Sequence, residues 1–119
     1  MVDKFPIDGG ENWYSTTEKK IGEWLDGKPI YQKTVITNMP TSTTSTNYAH
    51  NIANIDQIIN ISGGGWSGSY FIPINMSPTT SGGQLRVSVD RINIVIQFGT
   101  APSSSYTGYW TLQYTKTTD

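Results

Sequence analysis

Hydrophobic and polar residues alternate most regularly between residues 82 and 99, GGQLRVSVDRINIVIQFG. Leu85, Val87 and Val89 share one side and Arg86, Ser88 and Asp90 the other; further on, Ile92, Ile94, Ile96 and Phe98 share a face against Asn93, Val95 and Gln97. A period of two over this length predicts two half-buried β-strands. Closing the stretch as a two-residue hairpin at Asp90-Arg91 sets Val89 against Ile92, Val87 against Ile94 and Leu85 against Ile96, with every apolar pair on one face. Neither Asp90 nor Arg91 is glycine, so a tight primed turn would need positive φ at residues that resist it, and a short bulge is an equal alternative. A lone hairpin is not stable in water, so the rest of the chain must supply sheet to cover its apolar face.

Other segments carry the same kind of pattern. In residues 18–36, Asp26-Gly27 separates two strand-like runs, the strongest short-range hairpin signal in the chain. That turn would set Gly22 opposite Tyr31, and Pro29 beside it suggests an edge strand. Near the C-terminus Trp110, Leu112 and Tyr114 alternate with Thr111 and Gln113, which nominates the first three for the core. Residues 50–63, HNIANIDQIINISG, are ambiguous. Ile52, Ile55, Ile58 and Ile59 have helical spacing, but the β-branched run favours a strand over residues 57–62. Residues 70–75 read as a strand that Pro73 weakens. Residues 38–51, 63–68 (GGGWSG), 78–83 and 100–108 read as loops, the first of them long for an inert connection. Seven or eight short strands at this spacing predict an all-β, single-domain antiparallel β-sandwich of jelly-roll type over residues 18–119. Residues 1–17 read as a lead-in whose apolar Phe5, Ile7, Trp13 and Tyr14 dock on the fold or on a neighbouring subunit.

Composition agrees and narrows the function. At 119 residues the chain is one domain, with 35% apolar and only 14% charged residues and a net charge of −1. Its longest basic cluster is Lys19-Lys20, so a nucleic-acid partner is not expected. There are no cysteines, hence no disulfide framework and no thiolate metal site. No apolar run has transmembrane length and the N-terminus does not read as a signal peptide, so membrane insertion is not expected. The sequons at Asn60 and Asn75 are what chance supplies in a chain this rich in Asn and Ser.

Catalytic constellations are hard to assemble. His50 is the one histidine, and nothing nominates a nucleophile or an orienting acid for it. Glu18, Glu23, Asp56 and Asp90 are the candidates for the paired carboxylates of a glycosidase, though Glu18 and Glu23 fit a solvated hairpin. Gly63-Gly64-Gly65 lacks the lysine of a phosphate loop, and no acidic cluster has calcium-loop spacing. No catalytic residue, metal ligand or cofactor is therefore assigned. Aromatic residues make up 12% of the chain, with four Trp and seven Tyr. Sugars present apolar C–H faces that stack on such rings, and hydroxyls that bond to Asn, Asp, Gln and Ser. Trp66, Tyr70 and Tyr106 fall on or beside loops, where binding residues concentrate, and are the candidate ligand contacts. Trp24 and Trp110, on strands, read as core or subunit contacts.

Residues 21–35 (IGEWLDGKPIYQKTV), 50–63 and 109–119 (YWTLQYTKTTD) resemble, in that order, a C-terminal module of tail-fibre, baseplate or head-fibre proteins of tailed bacteriophages and prophages. The resemblance implies an all-β, homotrimeric virion domain that recognises the bacterial surface. It carries over no catalytic residue, and residues 63–83 lie outside it. The expectation is a non-catalytic module that binds a host cell-surface polysaccharide. The alternatives are a purely structural decoration or trimerisation domain, and a small polysaccharide hydrolase.

Overall fold

The computed structural model describes residues 14–74 and 85–119. The lead-in residues Phe5, Ile7 and Trp13, the Asn75 sequon and the loop expected at 78–83 lie outside them. Eight strands run in chain order: β1 (Lys19–Glu23), β2 (Pro29–Asn38), β3 (Thr46–Ala49), β4 (Ile55–Trp66), β5 (Phe71–Pro73), β6 (Leu85–Val89), β7 (Asn93–Phe98) and β8 (Thr107–Lys116). They form a five-stranded sheet in the order β1-β2-β8-β4-β5 and a three-stranded sheet in the order β3-β7-β6, every pair antiparallel. The two sheets make the predicted β-sandwich. Its core joins Ile55, Ile72, Trp110, Leu112 and Tyr114 of the first sheet to Leu85, Val87, Ile94, Ile96 and Phe98 of the second. Trp110, Leu112 and Tyr114 are fully buried, as their alternation predicts.

The hairpin of β6 and β7 forms, two residues out of the expected register. Val89 pairs with Ile94, Val87 with Ile96 and Leu85 with Phe98. A shift of two keeps every side chain on its face, so the buried set survives except at one place: Phe98 is buried and Ile92 is 68% exposed at the turn. Asp90 causes the shift. Its Oδ1 accepts hydrogen bonds from the backbone N–H groups of Ile92 (2.8 Å) and Asn93 (2.7 Å), while its own N–H donates to the Asn93 carbonyl (3.0 Å). The turn thus tips at Arg91-Ile92, and neither residue takes positive φ.

The β1–β2 hairpin also uses a longer loop than expected. Trp24 and Lys28 close a three-residue loop, with Gly27 at φ 86° and the Lys28 N–H bonded to Asp26 Oδ1 at 3.0 Å. Tyr31 consequently pairs with Lys20, not Gly22, and its ring stacks on Tyr114 at 6.3 Å between centroids. Pro29 does not mark an edge strand, because β2 lies inside the sheet. It is tolerated as the first residue of its strand, beyond the last β8 partner at Tyr31.

Two expected loops are strand. The polar stretch at 38–51 contains β3, which completes the second sheet against β7. The glycine run is the far half of β4, a twelve-residue strand. Gly63 has φ 128°, and a Cβ there would lie 1.9 Å from the Tyr109 carbonyl oxygen. The space beside Gly65 is filled by Met39 and Tyr106. Residues 50–54 do not continue a helix, since Asn51 and Asn54 adopt left-handed φ of 59° and 62°.

A polar network ties the approach to β1 onto the last strand. Glu18 accepts hydrogen bonds from the Tyr114 hydroxyl (2.6 Å) and the Lys116 ammonium (2.7 Å). Burial works to raise the Glu18 carboxyl, but these two bonds outweigh it and hold the carboxyl below the usual glutamate value. Burial, reinforced by the bond to Glu18, pushes the Tyr114 phenol far above its usual value.

Two expectations follow for stability. Ile94→Ala leaves a hole in a fully buried site and should cost ~2–5 kcal/mol in denaturant unfolding; a variant that melts like the parent would overturn the face assignment. Glu18 has a lower pKa folded than unfolded, so it stabilises the fold above the usual glutamate range. That contribution is lost as pH falls through this range to the folded value. Glu18→Gln should therefore lower stability at neutral pH and flatten the loss of stability between pH ~5 and ~3, read by chemical denaturation at each pH.

Candidate functional site

Between Thr34 and Thr115 the chain has four charged side chains, Asp56, Arg86, Asp90 and Arg91. Three of them gather at the end of the sandwich that carries the β1–β2 turn. There Arg91 Nη2 donates to the Asp56 carbonyl oxygen (2.8 Å), and Lys28 pairs with the Asp56 carboxylate (2.8 Å). The opposite end is built from residues 39–45, 67–70 and 99–106, which contain no charged residue. One end is therefore ionic; the connections at the other are hydroxyl and aromatic, and the fourth charge, Arg86, stands beside them on the outer face of the three-stranded sheet, opposite Gln97 and near Ser45.

At the uncharged end a cleft of about 220 Å³ opens between the sheets. Two connections make it. The Ser67–Tyr70 tip joins β4 to β5, with Ser67 Oγ accepting the Tyr70 N–H at 3.1 Å and Gly68 at φ 101°. The 99–106 connection crosses from β7 in one sheet to β8 in the other. Tyr70 and Tyr106 line the cleft together with the buried Ile72 and Phe98 and with Thr100 and Ser103. It therefore combines rings, an apolar floor and hydroxyls, a set that can hold a small amphipathic ligand.

The structure separates the three candidate contacts. Tyr70 is 63% exposed and free to meet a ligand. Tyr106 shares the cleft but is half-buried: its ring lies 6.1 Å from that of Phe98 and fills the space beside Gly65. Its loop position concealed this packing role. Trp66 does not line the cleft. Gly65 faces the core, so by strand alternation Trp66 belongs to the outer face of the five-stranded sheet, in register with Thr107 and Phe71. Sequence reasoning missed Phe71 and Tyr109, which join it there. Their alternation with Ile72 and Trp110 separated the two faces of each strand without saying which met solvent.

A larger cleft, about 560 Å³, lies at the ionic end and brings together Asp56 and Asp90, two of the candidate carboxylates. Both are committed. The hydrogen bond from Lys28 holds the Asp56 carboxyl below its usual range, and the N–H groups of Asn93 and Ile92 do the same for Asp90. A glycosidase needs one carboxyl raised to serve as acid, and this pair offers none. His50 is 2% exposed, with Nε2 bonded to the Asp90 carbonyl oxygen (2.9 Å) and Nδ1 to the Ile52 N–H (3.2 Å). It braces the Asp90 turn and leaves neither nitrogen for a substrate.

Because Tyr106 packs as well as lines the cleft, Tyr106→Ala should cost ~2 kcal/mol in thermal or denaturant melts, somewhat less than a fully buried aromatic truncation. Tyr106→Phe should be near neutral, and an unchanged melt for Tyr106→Ala would reject the packing role. No family model matches the chain, and neither a curated protein nor a solved structure shows significant similarity to it.

Proposed function

We propose that this protein is a non-catalytic bacteriophage structural module that binds a glycan of the bacterial envelope during adsorption. The cleft at the uncharged end carries the reading: it sets the Tyr70 and Tyr106 rings beside the hydroxyls of Thr100 and Ser103. Rings stack on the C–H face of a sugar and hydroxyls meet its polar rim. The virion setting is supported by the ordered resemblance of three segments to fibre and baseplate modules. A binding role is favoured over hydrolysis by the engagement of His50, Asp56 and Asp90 in holding the fold.

One sugar on one or two rings binds weakly, near millimolar, or about −4 kcal/mol. Assembly as a homotrimer would link three such sites and raise apparent affinity on a repetitive polysaccharide by ~10²-fold or more. A second reading, a decoration or trimerisation domain that binds no glycan, draws on Leu25 and Ile92. Both are exposed at the ionic end, Leu25 by 92%, and would suit a neighbouring subunit.

Pull-down on envelope polysaccharides from a panel of bacterial strains separates the two. The native protein should be retained by at least one preparation without releasing reducing sugar, and should sediment as a trimer at micromolar concentration. Tyr70→Ala should reduce retention about tenfold with an unchanged melting temperature. Retention by no preparation hands the function to the decoration reading. A monomer that still adsorbs would remove the trimer and leave the glycan site.

A further inference from the structure

We propose that the outer face of the five-stranded sheet is a second binding surface, shaped for an extended, uncharged polysaccharide chain. This rests on the glycan-binding reading and names the class of glycan. Three rings surround one glycine on that face. Tyr109 of β8 pairs directly with Gly64 of β4, and Trp66 lies two residues along the same strand on the same side. Phe71 of β5 fills the space above Gly64, with its Cζ 2.8 Å from where a Cβ would stand. Any side chain at Gly64 would displace that ring. The rings are 42–50% exposed and spread over three adjacent strands, a patch ~10 Å wide at the usual strand spacing. Large rings on an open face normally find a partner.

The rest of the face indicates which partner. Along the strands from the rings, β4 presents Ser62 and then Asn60, and their β8 neighbours are Thr111 and Gln113. The Thr111 hydroxyl meets that of Thr34 on β2 at 2.9 Å, and the Gln113 amide donates to Gln32 at 3.0 Å. The rings, with Ile36 of β2 beside Tyr109, thus pass into a row of hydroxyls, exposed at Ser62 and buried at Thr111, and then a row of amides, and no position from these amides to Phe71 carries a charge. The centre of a subunit interface is an apolar cluster, and polar groups there are confined to the rim. Here the polar rows run through the middle of the sheet. A polysaccharide offers the matching alternation of C–H faces and hydroxyls along its length, and the cation of this face, Lys19, lies at its β1 edge in register with Gln32, so an acidic polymer would find no counter-charge beside the rings. The rings and polar rows are laid out across the open face of a sheet, which suits a continuous chain and not a single terminal sugar.

Affinity electrophoresis tests this with gels containing amylose, dextran, mannan or galactan, and with polygalacturonate and hyaluronate as acidic counterparts. At least one neutral polymer should retard the native protein, equally at low and at high salt. Trp66→Ala and Tyr109→Ala should each weaken that retardation about tenfold at an unchanged melting temperature. Retardation only by the acidic polymers, or retardation that vanishes at high salt, overturns the proposal. So does the absence of retardation in every neutral gel, even where adsorption to envelope material persists; that adsorption would then belong to the cleft alone. If the two variants instead alter the sedimenting species and leave retardation intact, the face is a subunit contact and the proposal is wrong.

Discussion

The sandwich depends on the placement of β8. This last strand sits between β2 and β4 and pairs with both along nearly its whole length. Its inward side chains, Trp110, Leu112 and Tyr114, form the floor on which the second sheet rests, and its outward ones separate the rows contributed by β2 and β4. The Trp110 indole N–H, buried with its ring, donates to the Thr37 hydroxyl at 2.8 Å, so even the polar atom of the largest core residue is satisfied across this ladder. The five-stranded sheet cannot close until the C-terminal segment arrives, which makes its central contacts non-local and its folding slow relative to a meander.

Charge is distributed unequally along the strands. Lys28, Asp56, Arg91, Glu18 and Lys116 hold one half of the molecule together through pairs and backbone contacts. The other half is held by packing and by hydroxyl and amide ladders. Arg86, on the outer face of the three-stranded sheet, is a fixed charge in that half, and the cleft between the sheets is lined by uncharged residues. An uncharged lining has little long-range influence on an approaching ligand, so recognition in the cleft depends on shape, stacking and short hydrogen bonds. Linked copies of a weak site suit such a surface better than electrostatic steering does.

The turns show how few atoms decide a register. In the β6–β7 hairpin a carboxylate satisfying two N–H groups moves the tip by one residue and carries Ile92 from the expected core to solvent. In the β1–β2 hairpin one residue more in the loop moves Tyr31 from Gly22 to Lys20. Neither change disturbs the larger pattern, because a sheet accepts a shift of two without exchanging its faces, and the irregularity near Ile21 absorbs the rest.

The strands of 85–98 and 109–114, the all-β class and the burial of Trp110, Leu112, Tyr114, Ile94 and Ile96 were legible in the sequence. Alternation with period two is a local property, and a chain with this pattern can bury it only as half-exposed sheet. Residues 46–49 gave no such sign, since β3 is short and polar and becomes a strand only because the β7 edge is there to pair with it. The glycines at 63–65 read as a flexible turn because their strand identity comes from neighbours: a carbonyl, the Phe71 ring and the Met39 side chain occupy the space their side chains would need. The three loop aromatics met three fates for the same reason. Proximity to a loop is written in the sequence, but whether a ring lies in a cleft, against Phe98 or on an outer face depends on which sheet covers it. Alternation divides a strand into two faces, and only the partner sheet determines which of them is inside.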